Sequence, residues 1–295
     1  LSWANAMEQI QSAIDAAKDG DMILVAGGIY LTQAQIELTK SDFTLLGGYA
    51  GSGDDPDQRD PRQWPTVIMR DASEIHRIMI VSNAVNALLD GLTLCNGETD
   101  EAAAGAGIMI SDCTNLLIRN VIIENNRAGD AGATINGAGA YVINSTLTTF
   151  SNVAFRNNSI GPLARNSCGG GAAVIGGSTL FDNCIFFNNQ LRSTAAHTLL
   201  GAGFYLSDAT VELRHTVIMN NGTLSSTLAN GRGDGLYIAG TASEVTAFNL
   251  LFSGNFNDGI YQAAGNLRLT NATLIGHGNI ALRLVGGTMT AANII

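Results

Sequence analysis

A glycine-led motif recurs along the middle of the chain at a fixed interval of 32 residues. Its five copies begin at Gly105, Gly137, Gly169, Gly201 and Gly233. A repeat of this length is a unit that cannot bury its apolar face alone, so neighbouring copies must stack to form a continuous core. The repeat therefore predicts an elongated stack of similar coils and disfavours a helical bundle.

Each repeat contains three short segments with the alternation of β-strands. One follows the paired glycines (GAYV, GFYL), a second resembles LLIRN or TTFSN, and a third opens with asparagine (NVIIENN, NVAFRNN). Three positions after that asparagine the residue is always apolar, which predicts an inward column. The members of this column are Ile123, Phe155, Phe186, Ile218, Phe252 and Leu274. Strands that recur coil after coil predict an all-β, single-stranded parallel β-helix with three strands per coil and about nine to ten coils.

Paired asparagines close the third segment of most repeats. Asparagine tolerates the left-handed conformation of a tight corner, and its amide can bond the equivalent amide in the next coil. We therefore expect a stacked asparagine ladder inside the coils. Its members are Asn126, Asn158, Asn189, Asn221 and Asn255.

The chain is interpreted as a single domain, 1–295, with three parts. Residues 1–20 predict an amphipathic capping helix that presents Trp3, Met7, Ile10, Ile14 and Ala17 on one face. Irregular coils follow over 21–104, with a loop at 50–65, and regular coils occupy 105–295. No comparable cap closes the other end, so we expect the polypeptide to continue beyond residue 295.

Two features of the composition restrict the function. The net charge of −10 and the pI near 4.7 argue against nucleic acid as a partner, because phosphate neutralisation needs a basic surface. No apolar run reaches the roughly 18 residues of a membrane span.

Aromatic residues make up only 6% of the chain, so we do not expect a central aromatic cluster to organise the core.

Metal and disulfide sites are weakly indicated. Asp54, Asp55, Asp57 and Asp60 in the 50–65 loop could ligate calcium, but a solvated loop fits their spacing better. The four cysteines fall at different places in the repeat, so we expect small buried side chains rather than disulfides. They are Cys95, Cys113, Cys168 and Cys184.

One column of the glycine-led strand is the candidate binding surface. Between two inward columns it carries Met109, Tyr141, Ala173, Tyr205, Tyr237 and Tyr261, and we expect it to face solvent. Four insertions enter just before this strand and should form a wall along one edge. Tyrosines beside a wall suit stacking on sugar rings, although tyrosine also favours strands for structural reasons. The candidate ligand-binding residues are Tyr141, Tyr205, Tyr237 and Tyr261.

A possible catalytic pair lies in the same region. Asp234 and Asp258 occupy equivalent positions on adjacent coils, and retaining glycosidases use two carboxylates about 5–5.5 Å apart. His277 lies one coil further on, and Arg283 is the nearby base. An aspartate between glycines is also an ordinary corner residue, so both interpretations stay open.

Several motifs together resemble a known group. The segments AIDAAKDGDMILVAGGIY, LLGGYAG, DQRDP, DGLTL and the NxxFxNN coils are similar to bacterial cell-surface right-handed β-helix proteins of the pectin-lyase-like superfamily, in the style of polymorphic outer-membrane proteins. The superfamily includes polysaccharide lyases and hydrolases. DG at Asp258 and GHG around His277 look like fragments of the hydrolase pattern, but its paired aspartates and Arg-x-Lys are missing here.

The sequence therefore predicts a non-catalytic, exported module, secreted or at the bacterial cell surface, for adhesion. Its expected partner is a polysaccharide, a cell-surface glycan or a protein. No nucleic acid, cofactor, metal or transmembrane segment is expected. The alternative is a polysaccharide-degrading enzyme, a glycoside hydrolase or lyase, that uses Asp234 and Asp258 on the glycine-led face.

Overall fold

The fold is a stack of parallel coils, seen in a computed structural model that describes residues 3–100, 103–129, 134–162, 166–194, 197–225 and 230–295. In each coil the chain runs through a glycine-led strand, then a middle strand, then a strand that we call the asparagine strand after its opening residue. Equivalent strands of successive coils pair in parallel and in constant register, as where Ile108 opposes Ala140 and Ala140 opposes Ala172. The expected parallel β-helix is confirmed.

The strands form three long rows. The glycine-led row contains Ile36–Leu38, Met79–Ser82, Ile108–Ser111, Ala140–Ile143, Ala172–Ile175, Phe204–Ser207, Leu236–Ala239, Ile260–Gln262 and Leu282–Leu284. The middle row contains Met22–Ala26, Thr44–Tyr49, Leu88–Asp90, Leu117–Arg119, Thr148–Ser151, Ser178–Asp182 and Thr210–Arg214. The asparagine row contains Gly28–Thr32, Thr66–Arg70, Leu92–Cys95, Ile122–Glu124, Ala154–Arg156, Ile185–Phe187 and Val217–Met219. In the last coils the middle and asparagine strands merge into Glu244–Ser253, Asn266–Ile275 and Thr288–Ile294.

Aromatic stacking organises the centre of the core, contrary to the expectation from composition. Phe150 lies on Phe181 with ring centroids 4.9 Å apart, and Phe155 lies on Phe186 at 4.6 Å, each pair almost parallel. Phe204 extends the stack, and all five rings are fully buried. The low overall aromatic content concealed this cluster because half of the ten phenylalanines are concentrated in three coils.

The asparagine ladder is confirmed, and it is entirely buried. The side-chain amide nitrogen of each member donates to the side-chain oxygen of the next, over 3.0 Å from Asn126 to Asn158 and 2.9 Å from Asn189 to Asn221. The same oxygen also accepts a backbone N–H from the previous coil, as Asn189 does from Asn158. Each ladder residue therefore satisfies buried polar groups that no water can reach.

The two asparagines of each pair have different roles. The first, such as Asn125 or Asn157, adopts the left-handed conformation at the corner, with φ near +55°. The second points inward and joins the ladder. In the coil of Asn255 the first position is Gly254, which takes the same conformation at φ +60°.

His277 ends the ladder. It occupies the position that follows Asn255 by one coil, and neither of its ring nitrogens has good hydrogen-bond geometry to a described group, although the backbone of Asn255 lies close to the ring. Its ring lies against Gly259, where a Cβ would meet Nε2 at 2.6 Å. Burial lowers the pKa of His277, so the folded state favours the neutral ring.

We expect His277→Asn to stabilise the protein by about 1 kcal/mol, because the new amide can accept from Asn255 and donate to the carbonyl of Phe252, as its neighbours do. The gain should grow below about pH 6.5, where protonation favours the unfolded wild type because the folded pKa is lowered. Urea titrations at pH 5.5 and 7.5 measure both effects. A variant that is less stable than the wild type at both pH values would contradict the ladder assignment.

The capping helix exists but is shorter than predicted. It spans Ile10–Ala16 and buries Ile10 and Ile14 against the first coil. Trp3 belongs to a 3-10 turn and packs on Tyr49 instead, and Met7 is 52% exposed. The expectation that Trp3 and Met7 share the helical face is therefore wrong, because the chain at Gln9 is still extended. No described helix has the length and apolar content that crossing a bilayer requires.

The 50–65 loop packs against the outside of the first coils. Arg59 pairs with the buried carboxylate of Asp90 at 3.1 Å, and Asp57 accepts a hydrogen bond from the indole of Trp3 at 2.7 Å. Among the described residues no group of three or more acidic, histidine or cysteine side chains is placed to hold a metal. The four cysteines are free and buried, as predicted.

Candidate functional site

The insertions build a second, smaller structure beside the glycine-led row, which we call the arm. Its first row of strands is Glu98–Thr99, Arg127–Ala128, Ser159–Ile160, Gln190–Ser193 and Gly222–Ser225. Its second row is Thr134–Asn136, Asn166–Cys168, Thr198–Leu200 and Asn230–Arg232. A separate apolar cluster that includes Ile135, Ile160, Leu191 and Leu199 fills the space between them. The predicted wall is thus a folded element with its own core.

The arm changes the environment of the tyrosine column. Tyr141, Tyr237 and Tyr261 are only 9%, 7% and 7% exposed, and Ala173 is fully buried. The expectation that this column faces solvent is therefore wrong for these residues. The physical reason is contact with the arm, since Asn136 bonds to Tyr141, the thiol of Cys168 lies near Tyr237, and Arg232 donates to the hydroxyl of Tyr261 at 3.4 Å.

Tyr205 is the most accessible of the four tyrosines, being partly exposed. Burial and the nearby Cys168 raise the pKa of its phenol to about 12, so the hydroxyl stays neutral. Tyr205, Tyr237 and Tyr261 form a stack, with ring centroids 5.8 Å and 5.0 Å apart and interplanar angles of 15° and 8°. Stacking along the rod fixes the orientation of all three rings.

Two arginines flank the far end of this stack. The guanidinium carbons of Arg232, from the arm, and Arg283, from the last glycine-led strand, lie 5.7 Å and 5.8 Å from the centre of the Tyr261 ring. No carboxylate in the described part of the chain pairs with Arg232, whereas Arg283 lies 3.7 Å from Asp258. The coils beyond Asn230–Arg232 have no arm strand, and Arg283 takes the position that follows Tyr261 in the column.

Asp234 is not on the solvent side of the glycine-led strand. It is fully buried, and its carboxylate accepts the backbone N–H and hydroxyl of Thr223 at 3.1 Å and 2.6 Å. It also accepts the backbone N–H and side-chain amide of Asn257 at 3.1 Å and 2.9 Å. Burial raises the pKa of Asp234 to about 6 in spite of these four donors. The carboxylate joins the arm to the following coil.

Asp258 has the same orientation one coil later and is 2% exposed. Its carboxylate accepts the side-chain amide of Asn279 at 3.1 Å and the backbone N–H groups of Gly233 and Ile280, both at 3.4 Å. Neither aspartate offers an oxygen to a ligand outside the protein. Both carboxylates therefore have a structural role at the corners of the coils, and neither lies on the accessible face.

A signal in the sequence could have located these carboxylates. In the preceding repeats the position of Asp234 is held by Gly170 and by three alanines that are buried in the core of the arm, Ala106, Ala138 and Ala202. The aspartates therefore belong to an inward column that changes from alanine or glycine to carboxylate where the arm ends. Arg232 was missed because it stands in an insertion, which lacks the regular alternation.

The family model described as "Right handed beta helix region" matches residues 77–276 of the sequence. The chain belongs to this family. The match covers the coils of all five asparagines of the ladder, so the predicted right-handed β-helix is confirmed. Comparison of this β-helix with curated proteins gave no match.

Solved structures of two other proteins have a similar fold. Pectate lyase Pel9A is 15% identical, with a TM-score of 0.57, over 97% of this β-helix and 72% of the lyase. The ORF18 protein of Geobacillus virus E2 is 11% identical, with a TM-score of 0.50, over 99% of this chain and 60% of that one. The pectin-lyase-like resemblance is thus confirmed at the level of the fold.

Proposed function

We propose that this β-helix is a non-catalytic, exported module that contacts a polysaccharide or cell-surface glycan at the end of its tyrosine column, beside Arg232 and Arg283. The observation that carries the proposal is the stack of Tyr205, Tyr237 and Tyr261 flanked by Arg232 and Arg283. Phenol hydroxyls suit the hydroxyl groups of sugars, and guanidinium groups bind carboxylates in two-point contacts. We therefore favour a glycan that carries acidic groups.

The burial of the two aspartates supports the non-catalytic part of the proposal. A general acid or a nucleophile must come within hydrogen-bond distance of the scissile bond. Asp234 and Asp258 are surrounded by donors from the protein itself, and their side chains are shielded from solvent. The enzyme alternative would require the corner that holds them to open.

Export and a place at the bacterial cell surface are also part of the proposal. They rest on the resemblance to surface β-helix proteins, and the pectate lyase that shares the fold acts, by its name, on an acidic polysaccharide. A rigid rod with one binding end suits adhesion, because the coils hold the stack at a fixed place along the surface.

Retention on immobilised glycans tests the proposal. We expect the protein to be retained on polygalacturonate or alginate beads, and the double variant Tyr205→Ala, Arg232→Gln to bind at least tenfold more weakly. Arg268→Gln, an exposed arginine on the far side of the rod, is the matched control and should bind like the wild type. Equal retention of all three proteins would contradict the assigned surface.

An assay of reducing-sugar release on the same glycans addresses the enzyme alternative. We expect no release above that from a heat-denatured sample. Release that is lost in Asp258→Asn would overturn the non-catalytic assignment and restore the catalytic pair.

A further inference from the structure

The outer side of the asparagine row carries many apolar side chains in two columns, which we call the apolar stripe. It consists of two outward columns, one on each side of the buried central residue of each strand. In the regular coils its main members are Ile122, Ile185, Phe187, Val217, Met219 and Leu251. Each is partly exposed, although outward columns on a solvated strand are usually polar.

The stripe continues to both ends of the rod. Ile29 and Leu31 in the first coil are 67% and 61% exposed, and the register of the row leads from them through Val67 and Met69. At the other end, Ile275 is 59% exposed. An accumulation of exposed apolar side chains along one face of a protein marks an interaction surface.

Polar residues border the stripe on both sides. Arg119 pairs with Asp90 on the side of the middle row, and Arg127 pairs with Glu98 on the side of the arm. An apolar centre with a polar rim is the anatomy of a protein interface. Eight coils of about 4.8 Å and a width of about 20 Å, rim included, give roughly 770 Å², close to the roughly 800 Å² that each partner buries in a stable complex.

One charged pair interrupts the stripe, and it indicates the partner. Glu124 and Arg156 oppose each other on neighbouring coils of the same outward column, with 2.5 Å between Oε2 and Nε. A two-fold axis that passes between these two coils, perpendicular to the long axis of the rod, would place Glu124 of each chain opposite Arg156 of the other chain. A parallel arrangement would instead bring like charges together.

The same axis matches the outer coils through apolar residues, while the coil of Ile185 and Phe187 faces that of Thr93 and Cys95. The coil of Val217 and Met219 would face that of Val67 and Met69, and the coil of Leu251 would face that of Ile29. We propose that the apolar stripe is the interface of a two-fold symmetric dimer in which a second copy of this chain packs antiparallel against it. This inference does not depend on the proposed glycan contact, which lies on another face.

Analytical ultracentrifugation tests the dimer. We expect the 295-residue chain, of 30.7 kDa, to sediment at twice this mass at micromolar concentrations. The double variant Phe187→Asp, Val217→Lys leaves the net charge unchanged and should sediment as a monomer, with the circular dichroism and melting temperature of a folded protein. Leu147→Asn removes an exposed apolar side chain outside the stripe and should remain dimeric.

A charge swap tests the antiparallel register. We expect Glu124→Arg to weaken the dimer at least tenfold, and the double swap Glu124→Arg, Arg156→Glu to restore it. A wild type that sediments as a monomer up to about 100 μM would overturn the proposal. A dimer that survives Phe187→Asp, Val217→Lys would also overturn it, because the interface would then lie elsewhere.

Discussion

Replacing Asn189 by alanine is expected to lower the free energy of unfolding by about 4 kcal/mol, a large share of the stability of a domain. The side-chain oxygen of Asn189 accepts both the backbone N–H and the amide of Asn158, and its own amide donates to the carbonyl of Phe155. Alanine removes the partner of the backbone N–H of Asn158, of one of the two amide hydrogens of Asn158 and of the Phe155 carbonyl, all of them buried. Each such group costs about 1–3 kcal/mol.

Its neighbour Asn188 provides the matched control. Asn188 lies at the corner with φ +53°, and its amide makes one exposed hydrogen bond to Asn157. Glycine adopts this conformation freely, so we expect Asn188→Gly to cost less than about 1 kcal/mol. Equilibrium unfolding in urea measures both variants. Equal losses for the two would show that the ladder does not contribute as described.

The second large effect is a pH dependence that comes from Asp234. Its folded pKa of about 6 lies above the usual value of 3.8, so its protonated form stabilises the fold below pH 3.8. This contribution is lost as the pH rises through about 6, because the unfolded state gives up its proton first. The shift corresponds to about 3 kcal/mol between the two limits.

Comparison with Asp234→Asn isolates this effect from the other carboxyl groups. We expect the difference in unfolding free energy between wild type and variant to change by about 2–3 kcal/mol in favour of the wild type between pH 7.5 and pH 4. Stability curves that run parallel over this range would contradict the raised pKa of the buried carboxyl group. Asp90, whose pKa its hydrogen bonds and arginine partners lower, titrates equally in both proteins and cancels.

The sequence predicted the features that follow from the period of the repeat. Residues such as Phe155 and Phe186 lie 31 positions apart and stack because each coil returns the chain to the same place. The ladder from Asn126 to Asn255 follows from the same argument. To predict such columns, only the alternation of side chains along a strand and the number of residues in each coil have to be known.

Features that depend on which other element packs over a column of side chains were predicted less well. The alternation correctly put Tyr237 on the outer side of its strand, but it contained no information on the arm that lies against that side. The apolar residues Ile135 and Leu199 within the insertions were the available sign of a second core. The roles of Asp234 and Arg232 depend on where the arm ends, which only the three-dimensional register shows.

The asparagine ladder also has a direction. Every side-chain amide from Asn126 to Asn221 gives its hydrogen towards the C-terminal coil, so the amide dipoles add head to tail. Successive hydrogen bonds in such a row polarise one another, so each hydrogen bond becomes stronger as the ladder becomes longer. The rod is therefore electrically asymmetric along its axis, and the side chain that follows Asn255 should be retained best when it offers an acceptor to the amide hydrogen of Asn255, because the oxygen of Asn255 already accepts from Asn221.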